Sequence, residues 1–122
     1  EETAEVSALG GELGSDTSGS SILSQAFGDR KERVVRGAPL ATNQARSLAR
    51  AMYLERARRF VCGTGTTDGT PTVRVGGRVS LSGLGAMLDG TYYVSRARHR
   101  FDVEEGYRTE LDVERAGIGA AQ

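Results

Sequence analysis

The chain has 122 residues, the size of one domain with one hydrophobic core. Sixteen basic residues balance sixteen acidic ones, so the net charge gives no general attraction to nucleic acid or to an anionic membrane. A single cysteine, Cys62, excludes an internal disulfide, and with a single histidine, His99, it leaves few soft metal ligands. No apolar run approaches the roughly 18 residues of a transmembrane helix.

The first residues are predicted to lie outside the packed module. The chain starts at Glu1, and we expect it to be a fragment of a longer protein. Glu2–Leu9 alternates weakly, as the remnant of an upstream strand would. Gly10–Ser21 is rich in glycine and serine and poor in apolar residues, which predicts a flexible linker. Residues 1–21 are therefore separated from a module over residues 22–117, and residues 118–122 form a tail.

Two short elements are predicted next. Ser18 or Ser20 is a candidate N-cap for a short helix that ends at Gly28. Glu32–Gly37 contains two adjacent valines and predicts a strand, which Pro39 ends.

The main helix is predicted over residues 42–58, with Thr42 as its N-cap. Its apolar stripe has helical spacing and consists of Ala45, Leu48, Ala49, Met52 and Tyr53. We expect Leu48 and Met52 to reach the core. A strand over Arg59–Thr66 and a short strand at Val79 and Leu81 follow, and Gly90 marks the turn before a long hairpin.

The hairpin is predicted from the alternation of its side chains. In both segments, 91–103 and 107–115, the odd positions are mostly apolar and the even positions mostly charged. Both strands are therefore expected to bury the odd face. The predicted core residues of this face are Tyr93, Phe101, Leu111 and Val113.

A three-residue loop, Glu104-Glu105-Gly106, is expected to join the two strands, with Gly106 in the left-handed region. This loop sets Val103 opposite Tyr107. The charged residues then pair as Arg100 with Glu110, Arg98 with Asp112, and Arg96 with Glu114. The predicted fold is α+β, a bent antiparallel sheet or partial barrel of about five strands packed with one main amphipathic helix.

Two functional readings of these residues remain alternatives. General acid-base catalysis would need His99, which the alternation places on the buried row, and the carboxylates at 110, 112 and 114 each face an arginine, which disfavours a general acid. The arginine row, with Tyr92 as a stacking platform, could follow a nucleic acid or another polymer, although the acidic row opposite would neutralise it. We expect no catalytic, cofactor or metal site.

Several segments resemble the phage late control gene D protein family, the baseplate hubs of contractile tails and VgrG-like injection systems. The likeness extends over nearly the whole chain and is densest between Ala57 and Gly119. It rests on Gly76-Gly77-Arg78-Val79, Gly83-Leu84-Gly85, Asp89-Gly90-Thr91-Tyr92-Tyr93-Val94, His99, Gly106-Tyr107-Arg108-Thr109 and Glu114-Arg115-Ala116-Gly117.

The resemblance implies a structural role. Members of that family form trimeric hubs whose barrel modules join the tail tube to the central spike. It therefore implies a homotrimer with tail tube and spike partners, located in a virion or injection-particle baseplate, with no enzymatic activity, no membrane contact and no specific nucleic acid. The alternative from the residues alone is a barrel-type module that binds nucleic acid or another polymer.

Overall fold

The structure is a computed structural model that describes residue 13 and residues 16–35 and 41–119. It contains two helices, α1 (Gly19–Phe27) and α2 (Thr42–Arg58). The strands are β1 (Thr17–Ser18), β2 (Val61–Asp68), β3 (Arg78–Leu81), β4 (Gly90–Asp102), β5 (Gly106–Arg115) and β6 (Gly117–Ile118). The predicted strand over Glu2–Leu9 lies outside the described residues.

Four strands form one antiparallel sheet in the order β2-β5-β4-β3, curled into a half-barrel. The two-residue strands β1 and β6 pair separately. The predicted α+β class with a partial barrel is therefore confirmed.

The turn of the long hairpin lies one residue earlier than predicted. The carboxylate of Asp102 accepts hydrogen bonds from the backbone N–H groups of Glu104 and Glu105. Such a side-chain-stabilised turn begins at the aspartate itself. Asp102 therefore pairs with Gly106, which has a φ of 73°.

This earlier turn corrects the predicted charge pairs. Arg98 lies opposite Glu110 and Arg96 opposite Asp112, with closest N–O distances of 3.9 and 2.8 Å. Arg100 lies opposite Arg108 rather than Glu110. The two arginines are neutralised elsewhere, Arg100 by Asp102 and Glu105 and Arg108 by Asp68. Glu114 lies opposite Tyr93 and Cys62.

A bulge at Ser95 changes which residues of β4 face the core. The register shifts between Val94 and Arg96, and the Ser95 hydroxyl donates to the Asp112 carbonyl at 3.3 Å. An extra residue reverses the alternation. Before the bulge, Tyr92 and Val94 are therefore buried, whereas Tyr93, predicted as core, is only half-buried. On β5 the odd face is buried, with Leu111 and Val113 in the core.

Phe101, the other predicted core residue of β4, is 78% exposed. It lies on the apolar face, but at the end of the hairpin that extends beyond the neighbouring strands β2 and β3. Strand β3 pairs only with residues 90–93 of β4, and β2 ends opposite Arg108 of β5. Among the described residues, no helix or strand covers Phe101.

Helix α2 packs less deeply than its stripe predicted. It has no buried residue, and Leu48 and Met52 are half-buried. Its C-terminal part makes the contacts, because Tyr53, Leu54 and Ala57 pack around the buried Leu13 and Ala116. The N-cap is Ala41, whose backbone N–H donates to the Gln44 side chain at 3.1 Å, and not Thr42.

The segment predicted as a flexible linker is structured where it is described. Leu13 is buried, Thr17 and Ser18 pair with β6, and Ser18 caps α1 through the N–H of Ser21. The predicted strand over Glu32–Gly37 does not form over its described part, and Val34 and Val35 are exposed. No strand among the described residues lies beside this part, and the β propensity of its valines alone does not form a strand.

Arg115 joins these parts into one body. Its guanidinium forms an ion pair with Asp16 and donates to the Asp89 carbonyl at 2.8 Å. It also lies 5.4 Å from the centre of the Tyr92 ring. The side chain is only 4% exposed. Gly90 has a φ of 143° and lies against this guanidinium, leaving no room for a side chain there.

We expect Leu111→Ala to lower the free energy of unfolding by about 2–5 kcal/mol, because it opens a cavity in the core. Phe101→Ala should change it by less than about 0.5 kcal/mol, since the side chain is exposed. Urea unfolding of the two variants measures both values. Equal losses would contradict the observed positions of the two side chains.

Removing one partner of the buried ion pair should be costly. Asp16→Ala leaves the Arg115 guanidinium buried without its carboxylate, and we expect a loss of about 3–5 kcal/mol. The control Asp112→Ala breaks the exposed pair with Arg96 and should cost about 0–1 kcal/mol. Thermal and urea unfolding of both variants tests this, and a loss for Asp16→Ala no larger than the control would contradict it.

Candidate functional site

His99 is engaged through both ring nitrogens. Nε2 lies 3.1 Å from the Val73 carbonyl, which can only accept, so Nε2 carries the hydrogen. Nδ1 lies 3.1 Å from the Thr109 hydroxyl and 3.0 Å from that of Tyr107. The buried Thr109 hydroxyl also accepts from the N–H of Thr70 at 3.0 Å. His99 therefore fixes the loop before β3 onto the sheet, and no carboxylate is among these partners.

The described residues form neither a large cavity nor a cluster of metal ligands. A cavity of about 10 Å³ beside Tyr92 and Arg115 has room for one water molecule. Within residues 16–35 and 41–119, no group of three His, Cys, Asp or Glu residues could hold a metal ion. The same part of the chain contains no helix long and apolar enough to cross a membrane.

The arginine row does not form a free basic stripe. Arg96, Arg98 and Arg100 each face a carboxylate within 4.0 Å. Tyr92, the expected stacking platform, is 3% exposed, and its hydroxyl donates to the Leu88 carbonyl at 2.7 Å. The structure therefore does not bring the arginines and Tyr92 together on one exposed face.

The outer edge of β2 is the most unusual surface of the sheet. This strand has eight residues and pairs along its whole length with β5, without a bulge. On its other side, no strand among the described residues pairs with it. Every residue of β2 after Val61 is exposed, and the first charged residue is Asp68. β2 therefore presents a long, uncharged row of backbone N–H and C=O groups.

The opposite margin of the sheet carries the usual protections of an edge. β3 has only four residues and begins with Arg78. The rest of β4 carries arginines, is interrupted by the bulge at Ser95, and binds the loop through His99. Short strands, charges and bulges prevent unwanted strand pairing. β2 lacks all three, so it is suited to pairing.

On the inner face of β2, two glycines leave open space where other residues would place side chains. Gly63 is opposite Val113 and Gly65 opposite Leu111, so both glycines border the core. A Cβ at Gly65 would have no atom within 4 Å, and one at Gly63 would meet only Val113, at 3.6 Å. We call Gly63 and Gly65 the glycine strip. Glycine in a strand often marks close approach of another group.

Sequence reasoning missed the β2 edge. Arg59–Thr66 was predicted as a strand but not as an edge, because the neighbours of a strand depend on the sheet order. The available signal was the lack of charge over residues 61–67 in a chain where 26% of residues are charged.

Comparison with known proteins gives one family. A family model described as the Alg8 N-terminal domain matches residues 3–103. No curated protein matches the chain. No solved structure matches it either.

This match corrects the identification made from the sequence. The matching family is the Alg8 N-terminal domain and not the phage late control gene D family. The hub function and the location in a virion or injection-particle baseplate followed from that identification and are corrected with it. The homotrimer and the tail tube and spike partners stay predictions.

Thr109→Val keeps the shape of the side chain but removes the hydroxyl that forms hydrogen bonds with the Thr70 N–H and with His99 Nδ1. We expect the free energy of unfolding to fall by about 1–3 kcal/mol, because the Thr70 N–H loses its partner. Thr64→Val, at an exposed position of β2, is the matched control and should be near neutral. Urea unfolding compares them, and indistinguishable variants would rule out a structural role for this network.

Proposed function

The chain belongs to the Alg8 N-terminal domain family, and we propose that it is a non-catalytic assembly module that associates with further copies of itself through β2. The single observation behind this proposal is the long, uncharged edge of β2, which no strand among residues 16–35 and 41–119 covers. The family description names one domain of a protein, which favours a module that acts together with other parts.

Strand pairing is the chemistry that this edge offers. An unpaired strand presents alternating N–H and C=O groups, and a second strand can satisfy them without any change in fold. The outer-face residues opposite β5 are small and neutral, with Thr64 facing Asp112 and Thr66 facing Glu110. They place no charge or bulk in the path of an incoming strand.

A second copy is a suitable partner on electrostatic grounds. The net charge of the chain is zero, so two copies do not repel each other over long distances. The exposed Arg96 and Arg98 on the outer face of the sheet are each matched by a carboxylate on the same face. In the intact protein we propose a homotrimer, in which the β2 edge of each copy contacts a different surface of the next copy, so that the ring can close.

The use of His99 supports a non-catalytic role. Both ring nitrogens have structural partners, and those partners belong to the loop and to β5. None of these partners is a carboxylate that would orient the ring as a general base.

Two lysines on β2 should abolish association. Thr64 and Thr66 are exposed and lie opposite Asp112 and Glu110, so the fold should tolerate Thr64→Lys and Thr66→Lys. Charged side chains on an edge strand oppose pairing with another strand. Light scattering with circular dichroism should show an oligomer for the wild type and a folded monomer for the double variant.

Ser80→Lys, a lysine on the exposed side of the short strand β3, is the control and should remain oligomeric. A wild-type chain that stays monomeric at all concentrations, or a double variant that associates as the wild type does, would overturn the proposed function.

A further inference from the structure

The exposed end of the long hairpin is apolar, which is unusual for a surface in contact with water. Val103 is 99% exposed, Phe101 78% and Tyr107 38%. We call residues 101–107 the arm. Phe101 and Tyr107 are cross-strand partners on the apolar face, and Val103 lies in the turn. Large apolar side chains exposed together commonly mark an interaction site.

The arm extends beyond the rest of the sheet. The last pair between β2 and β5 is Asp68 with Arg108, and Gly69 still contacts Tyr107, because its N–H donates to the Tyr107 carbonyl at 2.9 Å and it lies against the Tyr107 ring. β3 stops opposite Tyr93, eight residues before Phe101. The exposed side chains of Phe101 and Val103 are therefore available to another molecule without any change in the fold of the arm.

The glycine strip offers a complementary surface. Gly63 and Gly65 leave open space beside the buried Leu111 and Val113, on the apolar side of the sheet. A large apolar side chain placed above these glycines would extend the core across β2. Aromatic side chains above strand glycines stabilise sheets in this way.

We propose that the arm of one copy docks onto the glycine strip of a second copy, with Phe101 and Val103 filling the space above Gly63 and Gly65. This inference rests on the proposed function, because it names the contact by which copies associate at β2. The arm cannot reach its own strip. Both belong to one sheet, and Phe101 pairs four residues along β5 from the partner of Gly65, about 13 Å away.

The contact uses two different surfaces of each copy. Such head-to-tail contacts produce closed rings when the rotation closes and filaments when it does not. Neither the glycine strip nor the apolar residues of the arm carry a charge, so the contact requires no buried ion pair.

Cysteine cross-linking tests the contact directly. In a Cys62→Ser background, one variant carries Val103→Cys and a second carries Gly65→Cys, a position with room for the side chain. Mixed and mildly oxidised, the two should form a disulfide between positions 103 and 65, identified by mass spectrometry. The control replaces Val103→Cys by Arg98→Cys, on the outer face. Cross-linking no stronger than this control would overturn the inference.

A second measurement separates this inference from the proposed function. Phe101→Ser with Val103→Ser removes the apolar side chains of the arm from exposed positions, so the fold should be kept. We expect association at least about tenfold weaker than wild type, as for residues central to an interface. If the lysine variants of β2 abolish association and the arm variant does not weaken it, the arm contact is overturned and the proposed function stands. A monomeric wild type overturns both.

Discussion

The buried guanidinium of Arg115 connects parts of the chain that are distant in sequence. It binds Asp16 near the start, the carbonyl of Asp89 in the loop before β4, and the face of Tyr92 in the core. A guanidinium can serve several partners at once because its donors are fixed in one plane. This ion pair holds the N-terminal segment and α1 on the sheet, and the close approach of the guanidinium explains the glycine at position 90.

The two edges of the half-barrel differ in how well they are protected against pairing with another strand. On one side, the arginines of β4, its bulge and the loop held by His99 discourage another strand. On the other side, β2 is long, regular and uncharged. Curling closes the apolar face around Val94, Leu111 and Val113, but in the part of the chain that the structure describes no strand pairs with this margin. The asymmetry favours contacts from the β2 side.

The family relationship could not be read from the turn and strand pattern. Glycines before strands, an Asp-Gly turn and a charged hairpin describe a curled antiparallel sheet, and unrelated proteins share such architectures. The identification as a phage late control gene D protein relied on the order of these features. The match to the Alg8 N-terminal domain family replaces it.

The sequence by itself determined the local structure: the helix over Thr42–Arg58, the odd buried face of β5 and the existence of the long hairpin, all of which follow from short-range periodicity. Only the tertiary structure decided the register, since the carboxylate of Asp102 moved the turn, and the bulge at Ser95 exchanged Tyr93 for Tyr92 and Val94 in the core. It also decided that Phe101 is exposed and Leu13 buried. Burial depends on which distant residues lie opposite a side chain, and alternation along one strand contains no information about where the neighbouring strands end.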